Sequence, residues 1–243
     1  MQPHVADVHH GNIERLIENC DLVIDGTDNF ATRYLINDAC VKHRVNWIYG
    51  AAVGSYGVTM TVRPHTSPCL RCVFEEIPPA ASAETCDTAG VIMPIISIVA
   101  AVQISEAFKL LTGNFDSLHG ALMQFDVWRN DWRRIKLGEP SPDCSTCGAH
   151  ARYETLDAEA VELAFVLCGR DAVQISPRRA TRVDLNALAG RLRGAGEVQV
   201  NEYLLRLRAA DFELTVFQDA RAIIRGTDDM AAARSLYARY IGN

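Results

Sequence analysis

The sequence lacks an internal repeat, a low-complexity tract and an excess of basic residues. Its net charge is −6, and the acidic excess lies in residues 1–151, which argues against a nucleic-acid surface as the main function. Met1–Asp7 has neither the basic flank nor the apolar run of a targeting segment. We therefore expect a cytoplasmic protein, whose eight cysteines serve metals or chemistry in a reducing compartment. At 243 residues, with 49% apolar and 22% charged residues, the chain has room for one large globular domain or two modest ones.

Charge is also absent from residues 88–105, which requires a check for a membrane span. The stretch contains Pro94 and Gln103, and the same predicted helix continues into Glu106 and Lys109. A spanning helix needs about 20 predominantly apolar residues. We therefore predict a buried helix over Gly90–Leu111, of a kind that would suit a subunit interface, and no membrane.

Two Cys-x-x-Cys pairs are the most informative feature that is present. Cys69 and Cys72 form the first pair, and Cys144 and Cys147 form the second. Such spacing lets two thiolates converge on one ion from a tight turn, and two pairs complete the four-sulfur site that zinc prefers. Gly148 could supply the backbone conformation that a metal knuckle needs. The pairs predict a structural zinc that clamps two distant parts of a domain, with two disulfides or an iron site as alternatives.

The order of elements predicts an α/β fold. Asp21–Asp25 reads as a short buried strand, and it ends in the polar cluster Gly26–Asn29. A helix over Thr32–His43 and a strand over Trp47–Gly50 complete a βαβ pattern, which is typical of a parallel sheet. Such sheets bind ligands at the carboxyl ends of their strands, where this cluster lies.

Further along, the sequence predicts an antiparallel strand over Gly54–Val62 and a loop over Phe74–Thr88 that contains Cys86. Two more strands, at 120–126 and 132–137, lead to the second cysteine pair. Composition changes near residues 148–152, so we divide the chain into domains 1–150 and 151–243. The second reads as a small α+β accessory domain, with strands near 173–176, 198–207, 212–217 and 222–224, a helix at 184–192 and a last helix capped by Asp228 or Asp229.

Three segments together resemble one family. Leu22–Asn37 (LVIDGTDNFATRYLIN) closely resembles the nucleotide-site segment of the ThiF/MoeB adenylyltransferases, which are bacterial relatives of the ubiquitin-activating enzymes. Glu84–Pro94 (ETCDTAGVIMP) resembles the segment around their active-site cysteine, and the two cysteine pairs fit the same family. The resemblance covers roughly residues 5–148, and it implies that domain 1–150 is the C-terminal part of an adenylation domain. It implies a partial Rossmann-like, ThiF-type sheet with a zinc clamp.

The resemblance also implies a function. In that family, ATP activates the C-terminal glycine of a ubiquitin-like sulfur carrier, of the ThiS or MoaD type, for thiamin or molybdopterin cofactor synthesis. It implies that Asp28 holds Mg²⁺ against the phosphates, that Asn29 contacts the nucleotide, and that Cys86 links covalently to the carrier. Arg33 is a weaker candidate for the nucleotide region. A homodimer and a sulfur donor, either a desulfurase or a rhodanese, are implied as partners.

One departure from the family opens a second hypothesis. No glycine-rich G-x-G-x-x-G turn occurs before Asp21, although the family cradles ATP with such a turn. We therefore expect the chain to lack the N-terminal nucleotide-binding half and to bind ATP poorly by itself. The alternative function is a non-catalytic, zinc-stabilised module that binds the sulfur carrier.

Several of these residues also have plainer interpretations. Arg33 could be a solvated helix residue or a partner of Asp38, and Cys86 could be an ordinary loop thiol. Cys20, Cys40 and Cys168 have apolar neighbours in the sequence, and we predict that all three are buried hydrophobic residues.

Overall fold

The computed structural model describes residues 2–4, 6–75, 86–157, 164–167, 171–176 and 182–242. Most of the predicted loop at 74–88, with Glu84 of the cysteine motif, lies outside these residues. The chain forms two compact units, Met1–Val161 and Glu162–Asn243. The short 3-10 turn Glu154–Leu156 packs against a helix of the first unit.

The first unit is built on a five-stranded mixed sheet. Its strands, in spatial order, are β1 (Leu22–Ile24), β2 (Asn46–Val53), β3 (Tyr56–Val62), β4 (Ala121–Asp126) and β5 (Asp131–Lys136). β1 and β2 are parallel, with Ile24 opposite Ile48, and the remaining neighbours are antiparallel. The predicted α/β fold with its βαβ unit is therefore confirmed, although only one pair of the described strands is parallel.

Five helices accompany this sheet in the described residues: α1 (Ile13–Ile17), α2 (Phe30–His43), α3 (Leu70–Val73), α4 (Cys86–Ala89) and α5 (Met93–Leu111). α2 covers one face, where Trp47, Tyr49 and Met60 belong to the same buried cluster as its residues. α5 covers the other face at close range: a Cβ on Gly57 would lie 2.6 Å from Val99, and one on Gly50 would collide with the side-chain amide of Gln103. The glycines of β2 and β3 thus allow α5 to approach the sheet.

Only one face of α5 is buried, so the predicted helix is confirmed and its predicted burial is confirmed for that face alone. Gln103 and Glu106 lie on the buried face, whereas Met93, Phe108 and Leu111 are 71%, 66% and 60% exposed. By length and composition α5 could cross a membrane, and 33% of its apolar window is buried within the protein. Core helices of soluble proteins pass the same test, so this is weak evidence for a span.

The second unit is an antiparallel sheet with two helices. Its strands are β6 (Ala164–Leu167), β7 (Ala172–Ile175), β8 (Glu197–Val200), β9 (Leu204–Arg208), β10 (Glu213–Phe217) and β11 (Ala222–Arg225), and their spatial order is β6-β7-β11-β10-β9-β8. Helices α6 (Leu185–Leu192) and α7 (Met230–Tyr240) supply the rest of its buried cluster. Asp229 caps α7 as predicted, and β6 was not predicted.

Candidate functional site

The four cysteines of the two pairs converge in the first unit. Their sulfur atoms all lie within 4.8 Å of one another, and all four are free thiols. Cys69 Sγ lies 3.6 Å from Cys144 Sγ, and Cys72 Sγ lies 3.3 Å from Cys147 Sγ. Four sulfurs bound tetrahedrally at about 2.3 Å would be about 3.8 Å apart, so the cluster could hold a metal ion.

Backbone groups support this arrangement. Ser141 N donates to Cys72 Sγ, and Thr146 N donates to Cys144 Sγ, both at 3.5 Å. Gly148 is needed for a reason other than the predicted one, because its backbone is not in the left-handed region. A Cβ there would instead collide with the carbonyl oxygens of Pro142 and Cys144.

The close packing of the four thiols also gives them different pKa values. Hydrogen bonding with Cys147 lowers the pKa of Cys72 and raises the pKa of Cys69. Four thiols at this spacing cannot all ionise without a cation to offset the charge, which is the role that a bound metal fills.

The polar turn after β1 is organised by Asp25. This residue is 2% exposed, and its Oδ1 accepts hydrogen bonds from Thr27 N at 2.8 Å and from Thr27 Oγ1 at 2.7 Å. Burial raises the pKa of the Asp25 carboxyl group, while its bonds to Thr27 and the charge of Arg33 oppose that shift. Asp25 is therefore a structural anchor of the turn.

Arg33 is the ionic partner of this buried carboxylate. Its Nε lies 3.4 Å from Asp25 Oδ2, and its guanidinium lies over the rings of Phe30 and Tyr49 at 5.5 and 5.6 Å. The residue is 6% exposed. Both plainer interpretations of Arg33 were wrong, since it is neither solvated nor paired with Asp38.

Asp28 and Asn29 lie at the exposed tip of the same turn. Asn29 is the N-cap of α2, because its Oδ1 accepts a hydrogen bond from Thr32 N at 2.8 Å, and this leaves its Nδ2 directed elsewhere. Among the residues that the structure describes, the Asp28 carboxylate has no hydrogen-bond or ion-pair partner. Its oxygens are thus available to a cation at the carboxyl end of β1.

A residue that the sequence analysis missed fixes the strands beneath this turn. Gln103, on α5, donates through Nε2 to Asp25 O at 2.9 Å and to Ile48 O at 3.1 Å. The side chain is buried and reaches the sheet above Gly50. A lone glutamine within an apolar helix was the available signal, since a buried amide needs partners.

Cys86 begins the short helix α4 and is half-buried. Its thiol donates to Ala52 O at 3.3 Å. Ala52 lies four residues beyond Ile48 on β2, which is about 13 Å along the strand from the level at which β1 ends. Cys86 and the turn at Asp28 therefore lie towards the same edge of the sheet.

Of the three remaining cysteines, all predicted to be buried, Cys168 lies outside the described residues, and the other two differ from each other. Cys40 is buried in α2, and burial raises the pKa of its thiol to about 12. Cys20 is exposed, so the prediction for it was wrong.

Comparison with known proteins places these features in a family. The family model that matches is described as the ThiF family, and it covers residues 1–146. The sulfur carrier protein ThiS adenylyltransferase of Bacillus subtilis (strain 168) is 43% identical over 240 residues, which are 98% of this chain and 70% of that protein. The chain belongs to the ThiF family.

More distant relatives share only part of their length. The adenylyltransferase and sulfurtransferase MOCS3-1 of Zea mays is 34% identical over 157 residues, which are 63% of this chain and 34% of that protein. Among solved structures, a crystal structure of E. coli MccB with MccA-N7isoASN aligns with a TM-score of 0.48 and 16% identity, over 59% of this chain and 45% of the other.

Proposed function

We propose that this protein is an adenylyltransferase that activates the C-terminal glycine of a ubiquitin-like sulfur carrier of the ThiS or MoaD type. The observation that carries the proposal is its identity of 43% with a ThiS adenylyltransferase over nearly the whole chain. The product would serve thiamin or molybdopterin cofactor synthesis.

The reaction joins the carrier to AMP. A carboxylate oxygen of the terminal glycine attacks the α-phosphorus of ATP, a new P–O bond forms, and the bond to pyrophosphate breaks. Asp28 would hold the Mg²⁺ that offsets the negative charge on the phosphates. Exposure of Asp28 and its lack of a partner among the described residues support this role. Asn29 would contact the nucleotide through Nδ2, because its Oδ1 is already the cap of α2.

Arg33 would support the nucleotide site indirectly, through the turn that carries Asp28 and Asn29. Its guanidinium is held by Asp25 and by two aromatic rings, so its role in the nucleotide site would be to keep the turn in shape. The positive charge of Arg33 would also lie near the phosphates of bound ATP, although the Asp25 carboxylate partly neutralises that charge.

Cys86 would act on the acyl-adenylate. Its thiolate would attack the glycine carbonyl carbon, so that a C–S bond forms and the C–O bond to AMP breaks. The partly exposed thiol would first release its proton to solvent and give up its hydrogen bond to Ala52 O. A sulfur donor, either a desulfurase or a rhodanese, would supply the sulfur that the carrier finally bears.

Three properties complete the proposal. The four cysteines would bind a structural Zn²⁺, which their donor chemistry and spacing fit. The exposed apolar face of α5 supports a homodimer, because monomers rarely leave such a surface in water. The protein would work in the cytoplasm, without a membrane or a nucleic acid as partner.

ATP–pyrophosphate exchange tests the function directly. The purified chain is assayed with Mg²⁺, labelled pyrophosphate, a panel of carriers and a high concentration of ATP, which offsets the weak nucleotide binding expected without the glycine-rich turn. Exchange should require a carrier. Asp28→Asn should lower the exchange rate about 100-fold or more, because it removes a metal ligand worth several kcal/mol to the transition state. Asp21→Asn is the matched control, since Asp21 is an exposed carboxylate at the amino end of β1, opposite the end that carries Asp28.

The outcomes separate the two candidate functions. Exchange that is lost in Asp28→Asn and kept in Asp21→Asn supports the enzyme. A folded, metal-loaded chain that binds a carrier but catalyses no exchange would instead identify the non-catalytic carrier-binding module.

A further inference from the structure

One face of α2 is attached to both cysteine pairs through polar side chains. Asn37 and Asp38 are both 0% exposed, although they are neighbours in the middle of a helix. Burial of two such residues is costly unless their polar atoms are paired, so the partners show what the helix is built to hold.

Asn37 and Tyr34 hold the first pair. Asn37 Oδ1 accepts a hydrogen bond from Leu70 N at 2.8 Å, and Leu70 follows Cys69 directly. Tyr34 OH donates to Phe74 O at 2.7 Å, just beyond Cys72. The backbone on both sides of the turn Cys69–Cys72, the first knuckle, is thus fixed to α2.

Asp38 holds the second pair. Thr146 Oγ1 donates to Asp38 Oδ1 at 2.7 Å, while Thr146 N points to the sulfur of Cys144. The other carboxylate oxygen accepts from Thr155 N at 3.1 Å and from Thr155 Oγ1 at 2.7 Å. Arg71, which lies between Cys69 and Cys72, brings its Nε to 3.7 Å from Oδ1. One carboxylate therefore joins α2 to segments from both knuckles.

The same helix begins at the turn described above. Asn29 caps it, and Asp38 lies nine residues later, about 14 Å along the axis. Arg33, between these points, holds Asp25. An α-helix of 14 residues is a stiff element that can carry a displacement at Asp38 to its N-terminus.

We propose that Asp38 is a positioning residue, which couples the four-cysteine centre to the turn that carries Asp28 and Asn29. A metal-loaded centre fixes Thr146, Thr146 fixes Asp38, and Asp38 sets the position of α2 and of its N-terminal turn. The consequence for catalysis rests on the nucleotide roles proposed for Asp28 and Asn29, whereas the coupling itself does not.

Hydrogen exchange of the metal-loaded protein tests the coupling without ATP. Thr146→Val keeps the shape of the side chain and all four cysteines, and it removes the bond to Asp38. Amides of residues 30–43 and of the turn at 25–29 should then exchange about tenfold faster, as expected for one lost hydrogen bond to a charged group.

Coupling must also act in the opposite direction. Asp38→Leu changes only the helix and removes the acceptor oxygen of the Thr146 bond, so it should speed metal release to a chelator severalfold. The double variant should release metal no faster than Asp38→Leu alone, because the bond that Thr146→Val removes is already absent there.

Thr61→Val is the matched control. Thr61 is a buried threonine whose hydroxyl donates at 2.9 Å to a buried carboxylate, that of Glu106, in the same unit. This variant should lose a similar amount of thermal stability while the exchange of α2 and the rate of metal release stay at wild-type values.

Three results would overturn the proposal. The first is faster exchange in Thr146→Val that is confined to residues 144–148. The second is an equal effect of Thr61→Val, which would indicate a general loss of stability. The third is amide exchange in Thr146→Val that stays at the wild-type rate throughout residues 25–43. A chain that catalyses no carrier-dependent ATP–pyrophosphate exchange would refute the proposed function instead, and hydrogen exchange would still decide the coupling.

Discussion

Replacement of one cysteine ligand should destabilise the first unit. The size of the effect follows from the length of the chain segment that the four-cysteine metal site closes into a loop. Cys69 and Cys144 lie 75 residues apart in sequence and 3.6 Å apart in space. Cys144→Ser keeps the size of the side chain, but it removes one of the four thiolates. The metal should be lost, together with the link between the two knuckles.

Chain entropy gives the magnitude. A covalent link that closes a loop of this length stabilises a fold by about 4.5 kcal/mol, and a metal bound by both pairs restricts the unfolded chain in the same way. In a unit of this size each kcal/mol shifts Tm by about 2–4 °C. The Tm of the first unit should therefore fall by about 9–18 °C.

Differential scanning calorimetry, with metal content measured on the same samples, checks this prediction. Wild-type protein treated with a strong chelator should have the same Tm as Cys144→Ser, because both lack the metal that links the two cysteine pairs. Cys20→Ser is the control, since Cys20 is an exposed thiol outside the cluster. Equal Tm values for wild type, Cys144→Ser and Cys20→Ser would refute the reasoning, and so would full metal content in Cys144→Ser.

Three further predictions concern other parts of the first unit. Phe108→Glu should convert the proposed homodimer to a monomer in sedimentation velocity, whereas Tyr203→Glu, at a similarly exposed aromatic residue in the second unit, should leave that dimer intact. A monomeric wild type would contradict the proposed dimer. Gln103→Met should lower the free energy of unfolding in urea by about 2 kcal/mol, since it removes two buried hydrogen bonds, and a loss below about 0.5 kcal/mol would contradict their importance. Burial lowers the pKa of His119 below its ordinary value of 6.5, so the neutral ring stabilises the fold above pH 6.5, and this contribution is lost as the pH falls through the lowered pKa. The unfolding free energy of His119→Asn should vary less than that of wild type as the pH falls below 6.5, and parallel curves would refute the assignment.

Local patterns in the sequence were sufficient for the framework of the first unit. The apolar run of β1 and the polar turn after it are short-range signals, and β1 and α2, which flank that turn, recur in the structure with nearly the predicted bounds. The cysteine pairs were equally informative, because their spacing brings each pair together within one turn. Their meeting across 75 residues follows once a single metal site is assumed.

The buried polar partners could not be predicted in this way. The bond from Thr146 to Asp38 joins residues 108 positions apart, and the bond from Gln103 to Asp25 spans 78 positions. Such pairs depend on how helices are placed on the sheet, which no local period specifies. The exposure of the outer face of α5 could not be predicted for the same reason. Composition shows that a helix is apolar, but it does not show how many of its sides are covered by other elements.

The two carboxylates of the turn after β1 show how burial decides between candidate ligands. Asp25 and Asp28 are three residues apart, and the sequence offers both as oxygen donors. Asp25 Oδ1 already accepts two hydrogen bonds from Thr27, and its Oδ2 faces Arg33 in the protein interior. A cation at Asp25 would have to displace those bonds and a buried guanidinium, which costs several kcal/mol. A cation at Asp28 would displace only water, so the buried acid shapes the turn and the exposed acid is the better candidate for the proposed Mg²⁺.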